Sequence, residues 1–325
     1  MDDKKRNLRI VFLGTPEFAA IQLKAVIEAG FEVAAVVTAP DKPAGRGRLP
    51  KASAVKELAL SYGLTVLQPT NLKSEEFLEG LRSFQANLNI VVAFRMLPEV
   101  VWKMPEQGTF NLHASLLPQY RGAAPINRVL MNGETTTGLT TFFLSQEIDT
   151  GKIIERIEIP ILESDDAGSL HDRMAAAGSE LVVSTLKNIS LGRVNAVDQA
   201  QFYSDSSELK QAPKIFRDDC LINWNQNSKA IHNQIRGLSP VPAAFTVLIS
   251  PEGAKFNLKV FKAIETIIED GGAPGSILTD GKQIMAVKTI DGYLELKEIQ
   301  LEGKKRMEIR EFLRGFRVDN KWMAG

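Results

Sequence analysis

Asn111, His113 and Asp149 are the residues of this chain whose types and spacing best suit chemistry at a carbonyl carbon. A formyl or acyl group passing to an amine goes through a tetrahedral intermediate, which carries an oxyanion and a nitrogen that must lose a proton. The side-chain amide of Asn111 can donate to that oxyanion. The imidazole of His113 can donate to the same oxygen or carry the proton, since its ordinary pKa lies near neutrality. Asp149 can orient or charge the imidazole, or accept the amine proton directly or through water. Residues i and i+2 of an extended segment share a side, so Asn111 and His113 can face one site. Taken singly each has a plainer role: Asn111 and Asp149 as turn residues that satisfy backbone, and His113 as a buried, hydrogen-bonded histidine. The chain has only three histidines, and one set between an Asn and a Ser-Leu-Leu-Pro turn is an uncommon use of one.

The elements around these residues predict an α/β body. Residues 8–13 form a β-branched run that closes on Gly14-Thr15-Pro16, and Pro16 is fit to open a helix through about residue 29. Residues 31–37, 65–67 and 88–93 read as further strands, with helices over 51–61 and 74–84. The continuous apolar run at 88–93 suits a central parallel strand covered on both faces. Strands separated by helices of this length imply a doubly wound, mostly parallel Rossmann-like sheet. The β-prone Gly108-Thr109-Phe110 puts Asn111 and His113 near the carboxyl end of a strand, where open α/β sheets bind their ligands. Residues 152–159 alternate apolar and charged side chains, as an edge strand does, and a helix is expected over 169–191. Residues 192–213 turn polar without periodicity, the best linker candidate. Beyond them, short strand-like runs at 258–261, 275–278, 284–288 and 293–296 alternate with Gly and Asp turns, which favours a small OB-like β-barrel. The expected division is therefore 1–191, a linker at 192–211, and 212–325.

Composition excludes several classes. The 39 Lys+Arg balance 39 Asp+Glu, so no global charge announces a nucleic-acid or membrane partner. A single cysteine, Cys220, excludes an internal disulfide framework and a Cys-rich zinc site. No apolar window is long enough to span a bilayer, so a soluble cytoplasmic protein is expected. The turn after the first strand offers one glycine where a dinucleotide site needs three, which argues against a nicotinamide cofactor. The loop at 38–50 holds three prolines, two glycines and the cations Lys42, Arg46 and Arg48. It reads either as a solvated loop or as a basic clamp for the phosphates of an RNA. Near the carboxyl end Lys304, Lys305 and Arg306 open a second local concentration of cations, either a solvated face or a phosphate contact.

Three separated motifs, Asn111-x-His113-x-Ser115-Leu116-Leu117-Pro118, Tyr120-Arg121-Gly122-Ala123-Ala124-Pro125-Ile126 and Gln146-Glu147-Ile148-Asp149-Thr150-Gly151, recur here in order. Together they resemble the folate-dependent formyltransferase family. The resemblance implies that Asn111, His113 and Asp149 are a catalytic triad and that Ser115, Leu116, Leu117 and Pro118 form a signature turn near the folate. Phe94, Arg95, Met96 and Leu97 fall on a segment that borders the implied folate pocket. That segment departs from the family pattern by being one residue shorter and by carrying Arg95. The opening Phe12-Leu13-Gly14-Thr15-Pro16-Glu17-Phe18, the loop Pro40 to Gly47, and the carboxy-terminal segments Ile235 to Pro240 and Gly303 to Met307 extend the resemblance over nearly the whole chain. They are similar to members that formylate the methionine carried by initiator tRNA. The implied donor is 10-formyltetrahydrofolate, with no metal, and the implied RNA contacts are Lys42, Arg46, Arg48, Lys304, Lys305 and Arg306 in the loop and the barrel. Two alternatives remain: formyl transfer to another amine, such as glycinamide ribonucleotide or an amino-sugar nucleotide, and an RNA-binding protein without enzymatic activity.

Overall fold

The computed structural model describes residues 7–44, 49–266 and 272–325. The chain forms two compact units. The first takes the described residues through Gly122 with Thr136–Pro160 and His171–Gln211; the second takes Ala123–Thr135, Ile161–Leu170 and Ala212–Gly325. Two short stretches of the first 191 residues therefore belong with the second unit.

The first unit is built on strands β1 (Arg9–Gly14), β2 (Glu32–Val37), β3 (Lys42–Ala44), β4 (Leu49–Lys51), β5 (Val66–Leu67), β6 (Leu88–Val92), β7 (Thr109–His113), β8 (Thr136–Phe143) and β9 (Ile153–Pro160). β3 and β4 pair only with each other. The remaining seven make one sheet in the order β9-β8-β7-β6-β1-β2-β5. β5, β2, β1, β6 and β7 are parallel neighbours, whereas β8 and β9 are antiparallel additions at one side. The sheet is Rossmann-like and mostly parallel, as its strand and helix signals predict, and β9 holds the edge.

Burial explains the order. Ile10 to Leu13 of β1 and Leu88, Ile90 and Val92 of β6 are fully buried, because helices cover both faces of the central strands. Helix Glu17–Glu28 contributes Phe18, Leu23 and Val26 to that cover, and helix Glu75–Ser83 contributes Phe77, Leu78 and Leu81. The chain adds β2 and β5 on one side of β1, then returns to place β6 on the other. That reversal opens a crevice at the carboxyl ends of β1 and β6. Gly14 ends β1 there because a Cβ would lie 2.6 Å from the Ala19 Cβ and 3.0 Å from the Val92 carbonyl. Its lack of a side chain serves close strand-helix packing.

The sequence reading gave no strand at 136–143, where the chain forms β8. Its threonines look polar, yet Thr137, Thr140 and Thr141 are buried. β-branched threonine suits a strand once its hydroxyl is satisfied, and Thr141 Oγ1 meets Thr185 Oγ1 at 2.9 Å. The polar stretch 192–211 is likewise packed into the first unit: Val197 bridges to Ile153, and Gln199 is buried.

The second unit carries β10 (Ala244–Ile249), β11 (Lys255–Thr266), β12 (Ile277–Thr279), β13 (Met285–Lys288), β14 (Tyr293–Leu301), β15 (Met307–Glu308) and β16 (Met323–Ala324). They run in the order β12-β13-β14-β11-β10-β16, with β15 on β14. A bridge from Ser276 to Met323 ties the two ends together, giving a nearly closed antiparallel barrel-like sheet. Helix Ser228–Leu238, capped by Asn227 Oδ1 on the Ala230 N–H (2.7 Å), adds Ile231, Ile235 and Leu238 to the core that holds Leu258, Val260 and Ile299. Among the described residues no helix is long and apolar enough to cross a membrane.

Candidate active site

β7 carries the first two residues of the site. Phe110 and Leu112 are buried on one face, and Asn111 and His113 alternate onto the other. Parallel pairing with β6 and antiparallel pairing with β8 fix the strand on both sides. Asn111 is half-buried, and among the described residues its carboxamide makes no hydrogen bond. Two N–H donors thus stand at a strand end without a partner among the described residues.

His113 is buried, and its Nε2 lies 2.9 Å from the Tyr120 carbonyl oxygen. A carbonyl only accepts, so Nε2 carries the proton in that contact. Nδ1 is then the nitrogen left for proton exchange, and it lies 3.8 Å from Asp149 Oδ2. Asp149 Oδ2 also accepts the Gly122 N–H at 3.0 Å. The pair is nearly dry, with side-chain exposures of 8% and 12%, so charge on either partner is weakly screened.

Asp149 stands on a turn that must be held. Its φ is 54°, in the left-handed region that Asp tolerates better than most residues. Gly151 follows because a Cβ there would fall 1.7 Å from the Phe143 carbonyl oxygen. The Gln199 Nε2 group donates to the carbonyls of both Asp149 and Gly151, each at 2.8 Å. Gln199 Oε1 in turn accepts from Arg121 Nε at 3.1 Å and Nη2 at 2.6 Å. Sequence reasoning missed Gln199; its only signal is a polar residue in a polar stretch.

The turn after β7 is equally braced. The Ser115 hydroxyl donates to the Gln119 carbonyl at 2.6 Å. Thr140 Oγ1 donates to the Ser115 carbonyl at 2.7 Å and accepts the Leu117 N–H at 3.1 Å. Arg156 donates to the Leu117 carbonyl at 2.9 Å and lies 4.2 Å from the Phe202 ring; burial pulls its pKa below the usual arginine value. Ser115, Leu117 and Pro118 are buried and Leu116 half-buried, so this turn can meet a ligand chiefly through its backbone.

The segment 94–97 leaves β6 at the same sheet end, since Val91 pairs with Asn111. Phe94 and Leu97 pack into the core, whereas Met96 is 72% exposed. Arg95 donates to the carbonyls of Pro69 and Thr70, which commits its guanidinium to a neighbouring loop. The candidate RNA contacts fare differently. Lys42 is exposed on β3, while Arg46 and Arg48 lie outside the described residues. In the second unit Lys304 is exposed and Lys305 pairs with Glu311 at 3.1 Å. Arg306 makes a two-pronged pair with Glu298, at 2.6 and 2.7 Å, which holds its pKa above the usual value. Among the described residues no three His, Cys, Asp or Glu side chains gather as metal ligands.

Comparison with known proteins gives the family. The Formyl transferase family model matches residues 8–186, and the Formyl transferase C-terminal domain model matches residues 214–317. The methionyl-tRNA formyltransferase of Parabacteroides distasonis is 54% identical over 323 residues, covering 99% of this chain and 100% of that protein. The methionyl-tRNA formyltransferase of Bacteroides fragilis is 50% identical over 315 residues, 97% of each chain. Among solved structures, HypX from Aquifex aeolicus in complex with tetrahydrofolic acid superposes with a TM-score of 0.61 at 19% identity, over 96% of this chain and 49% of that one. WlaRD, a sugar 3N-formyl transferase, gives 0.60 at 19% identity over 92% and 100%. Identities that low speak for the fold alone. The chain belongs to the formyl transferase family, in the group of the methionyl-tRNA formyltransferases.

Proposed function

We propose that this chain moves the formyl group of 10-formyltetrahydrofolate onto the α-amine of methionine esterified to initiator tRNA, a cytoplasmic step at the start of translation. The donor substrate supplies the formyl carbon. The amine nitrogen bonds to that carbon, the bond from the carbon to the folate nitrogen breaks, and one proton passes from the amine to the leaving nitrogen. Asn111 donates its unpartnered N–H groups to the oxyanion formed on the way. His113 accepts and returns the proton through Nδ1, the ring nitrogen that its contact with the Tyr120 carbonyl leaves available. Asp149, 3.8 Å away, stabilises the imidazolium while it carries that proton.

The observation that carries this reading is the pair of β7 side chains facing one way, an amide with no hydrogen-bond partner among the described residues and an imidazole whose Nδ1 faces a nearly dry carboxylate at 3.8 Å. Folate fits at the carboxyl ends of β6 and β7, where the exposed Met96 offers an apolar contact and the braced Ser115 to Pro118 turn offers backbone groups. The first unit, comprising most of residues 1–191, does the chemistry in this reading. The barrel-like region 212–325 holds the RNA through Lys304 and Lys305, with Lys42, Arg46 and Arg48 contacting it from the first unit and 192–211 bracing the Asp149 turn.

The test uses purified protein and formyl-labelled donor, with charged initiator tRNA, an amino-sugar nucleotide and glycinamide ribonucleotide offered separately. Label is expected on the charged tRNA. Label appearing only on one of the other amines would overturn the substrate, and label on none of them would overturn the reaction.

A further inference from the structure

The barrel-like unit carries a cavity of about 620 Å³ that the proposed reaction leaves unused. Its floor is a row across three strands: Phe245 of β10 pairs with Lys259 of β11, and Lys259 with Gln300 of β14. The sequence neighbours of each, Ala244 and Thr246, Leu258 and Val260, Ile299 and Leu301, are buried. Alternation therefore turns the row to the outside of the sheet. One wall comes from the segment beside the β10 edge, which the Ile222 N–H ties to the Phe245 carbonyl at 2.8 Å. From that wall the Arg217 guanidinium stands 5.8 Å from the Phe245 ring, and Phe216 is 62% exposed.

The chemistry of this lining is specific. The volume lies within the roughly 300–1,000 Å³ of pockets that hold small ligands. Two rings, two cations and the Asn257 and Gln300 amides share it, with Gln300 Nε2 already donating to the Lys304 carbonyl at 2.8 Å. Its one carboxylate, Glu302, already accepts Asn257 Nδ2 at 2.8 Å, and among the described residues Lys259 makes only a long contact, 3.4 Å, to the Pro242 carbonyl. Aromatic side chains set among cations on the outer face of a sheet suit an unstacked base with its phosphate, because every base has a π face. An acidic peptide would use the cations but leave the rings idle.

We propose that this cavity takes one unpaired nucleotide of an RNA, with the base against Phe245 and the phosphate on Arg217 and Lys259. The inference rests on RNA being a substrate of this chain and adds a site for it. A base inside a duplex is already stacked and cannot enter, so the site selects single-stranded or bulged positions.

Binding of a fluorescein-labelled single-stranded RNA octamer of mixed sequence to the full chain, read by anisotropy, tests it. Phe245→Leu and Lys259→Gln are each expected to weaken binding about tenfold. Lys259 is exposed, so its variant keeps the test valid if the Phe245 variant fails to fold. Unchanged affinity in Lys259→Gln, equal binding of a duplex of the same length, or displacement of the octamer by an equally charged glutamate peptide would each overturn the proposal. Formylation of charged initiator tRNA by the parent protein is measured alongside. Formylation with unchanged octamer affinity in the variants sinks only the nucleotide site. Variant-sensitive octamer binding without formylation supports the site and sinks the proposed reaction.

Discussion

Gln199→Ala isolates the brace behind Asp149. The substitution removes two N–H donors, from the Asp149 and Gly151 carbonyls, and the acceptor that takes both Arg121 nitrogens. A buried polar group left without a partner costs about 1–3 kcal/mol. Gly151 is buried but Arg121 and Asp149 are only half-buried, so water recovers part of the loss. A total of about 2–3 kcal/mol follows from taking the lower end for each of three orphaned groups and allowing for that water. Part of this lowers Tm. The rest relaxes Asp149 from its left-handed conformation and moves its carboxylate from His113, and a displacement of about 1 Å costs on the order of a hundredfold in rate.

Gln199→Glu separates the two parts. A carboxylate still accepts from Arg121, now as an ion pair, but it has no N–H for the two carbonyls and repels their oxygens. Its Tm should fall less than that of Gln199→Ala, while kcat falls as far. Single-turnover formylation and thermal melts on the same preparations read both quantities. Either variant keeping kcat within about threefold of the parent while Tm drops would refute the positioning argument and leave Gln199 a purely structural residue.

Other consequences are simpler. Asn111→Ala should lower kcat about 10²- to 10³-fold with little change in KM, since its donors act on charge that develops only in the transition state; a matching rise in KM instead would make Asn111 a ground-state contact. His113→Ala and Asp149→Ala should each lower kcat about 10²- to 10⁴-fold, and near-normal rates in either would remove it from the proton path. Gly151→Ala should abolish activity and destabilise the first unit, because the new Cβ overlaps the Phe143 carbonyl; a crystal structure with the turn unmoved would contradict this. Burial holds the His232 pKa below its ordinary 6.5, so its contribution to stability is complete above that value and is lost as pH falls through the depressed one. The N–H groups of Ile284, Gln283 and Lys282 pull Asp280 to about 2, so its contribution is complete above about 4 and disappears as pH falls toward 2. Chemical denaturation against pH should lose both slopes in His232→Asn and Asp280→Asn respectively.

Much of this was legible because burial and periodicity are written in neighbouring residues. Asn111 and His113 could be placed on one face from the alternation of β7 alone. The central strands announced themselves by unbroken apolar runs, and the barrel by short strands spaced with Gly and Asp. What escaped was whatever depends on a distant partner. β8 looks polar until Thr140 is seen to hold the Ser115 and Leu117 backbone and Thr141 to meet Thr185. The stretch 192–211 looks like a tether because Gln199 serves backbone 48 and 50 residues away. For Arg306 and Arg95 the sequence leaves ligand contact and a plainer role both open, and only three-dimensional proximity shows that Glu298 and two loop carbonyls engage them.

The two carboxamides of the site show how that distinction assigns roles. Gln199 is fully engaged: both of its contacts by Nε2 and both by Oε1 are to protein, so its place is fixed before any ligand arrives. Asn111 stands half-buried on the most firmly paired strand end of the site and has no protein partner among the described residues. Leaving donors partly desolvated and unpaired is unfavourable unless something that comes and goes completes them. A rigid strand makes that cost tolerable, since Phe110 and Leu112 hold β7 in place whether or not a ligand is bound. The same logic explains why the carboxylate stands on a turn: Asp149 must be close to His113 yet reach it from another part of the chain, so its position depends on a brace. Asn111 then acts through what it lacks and Gln199 through what it holds.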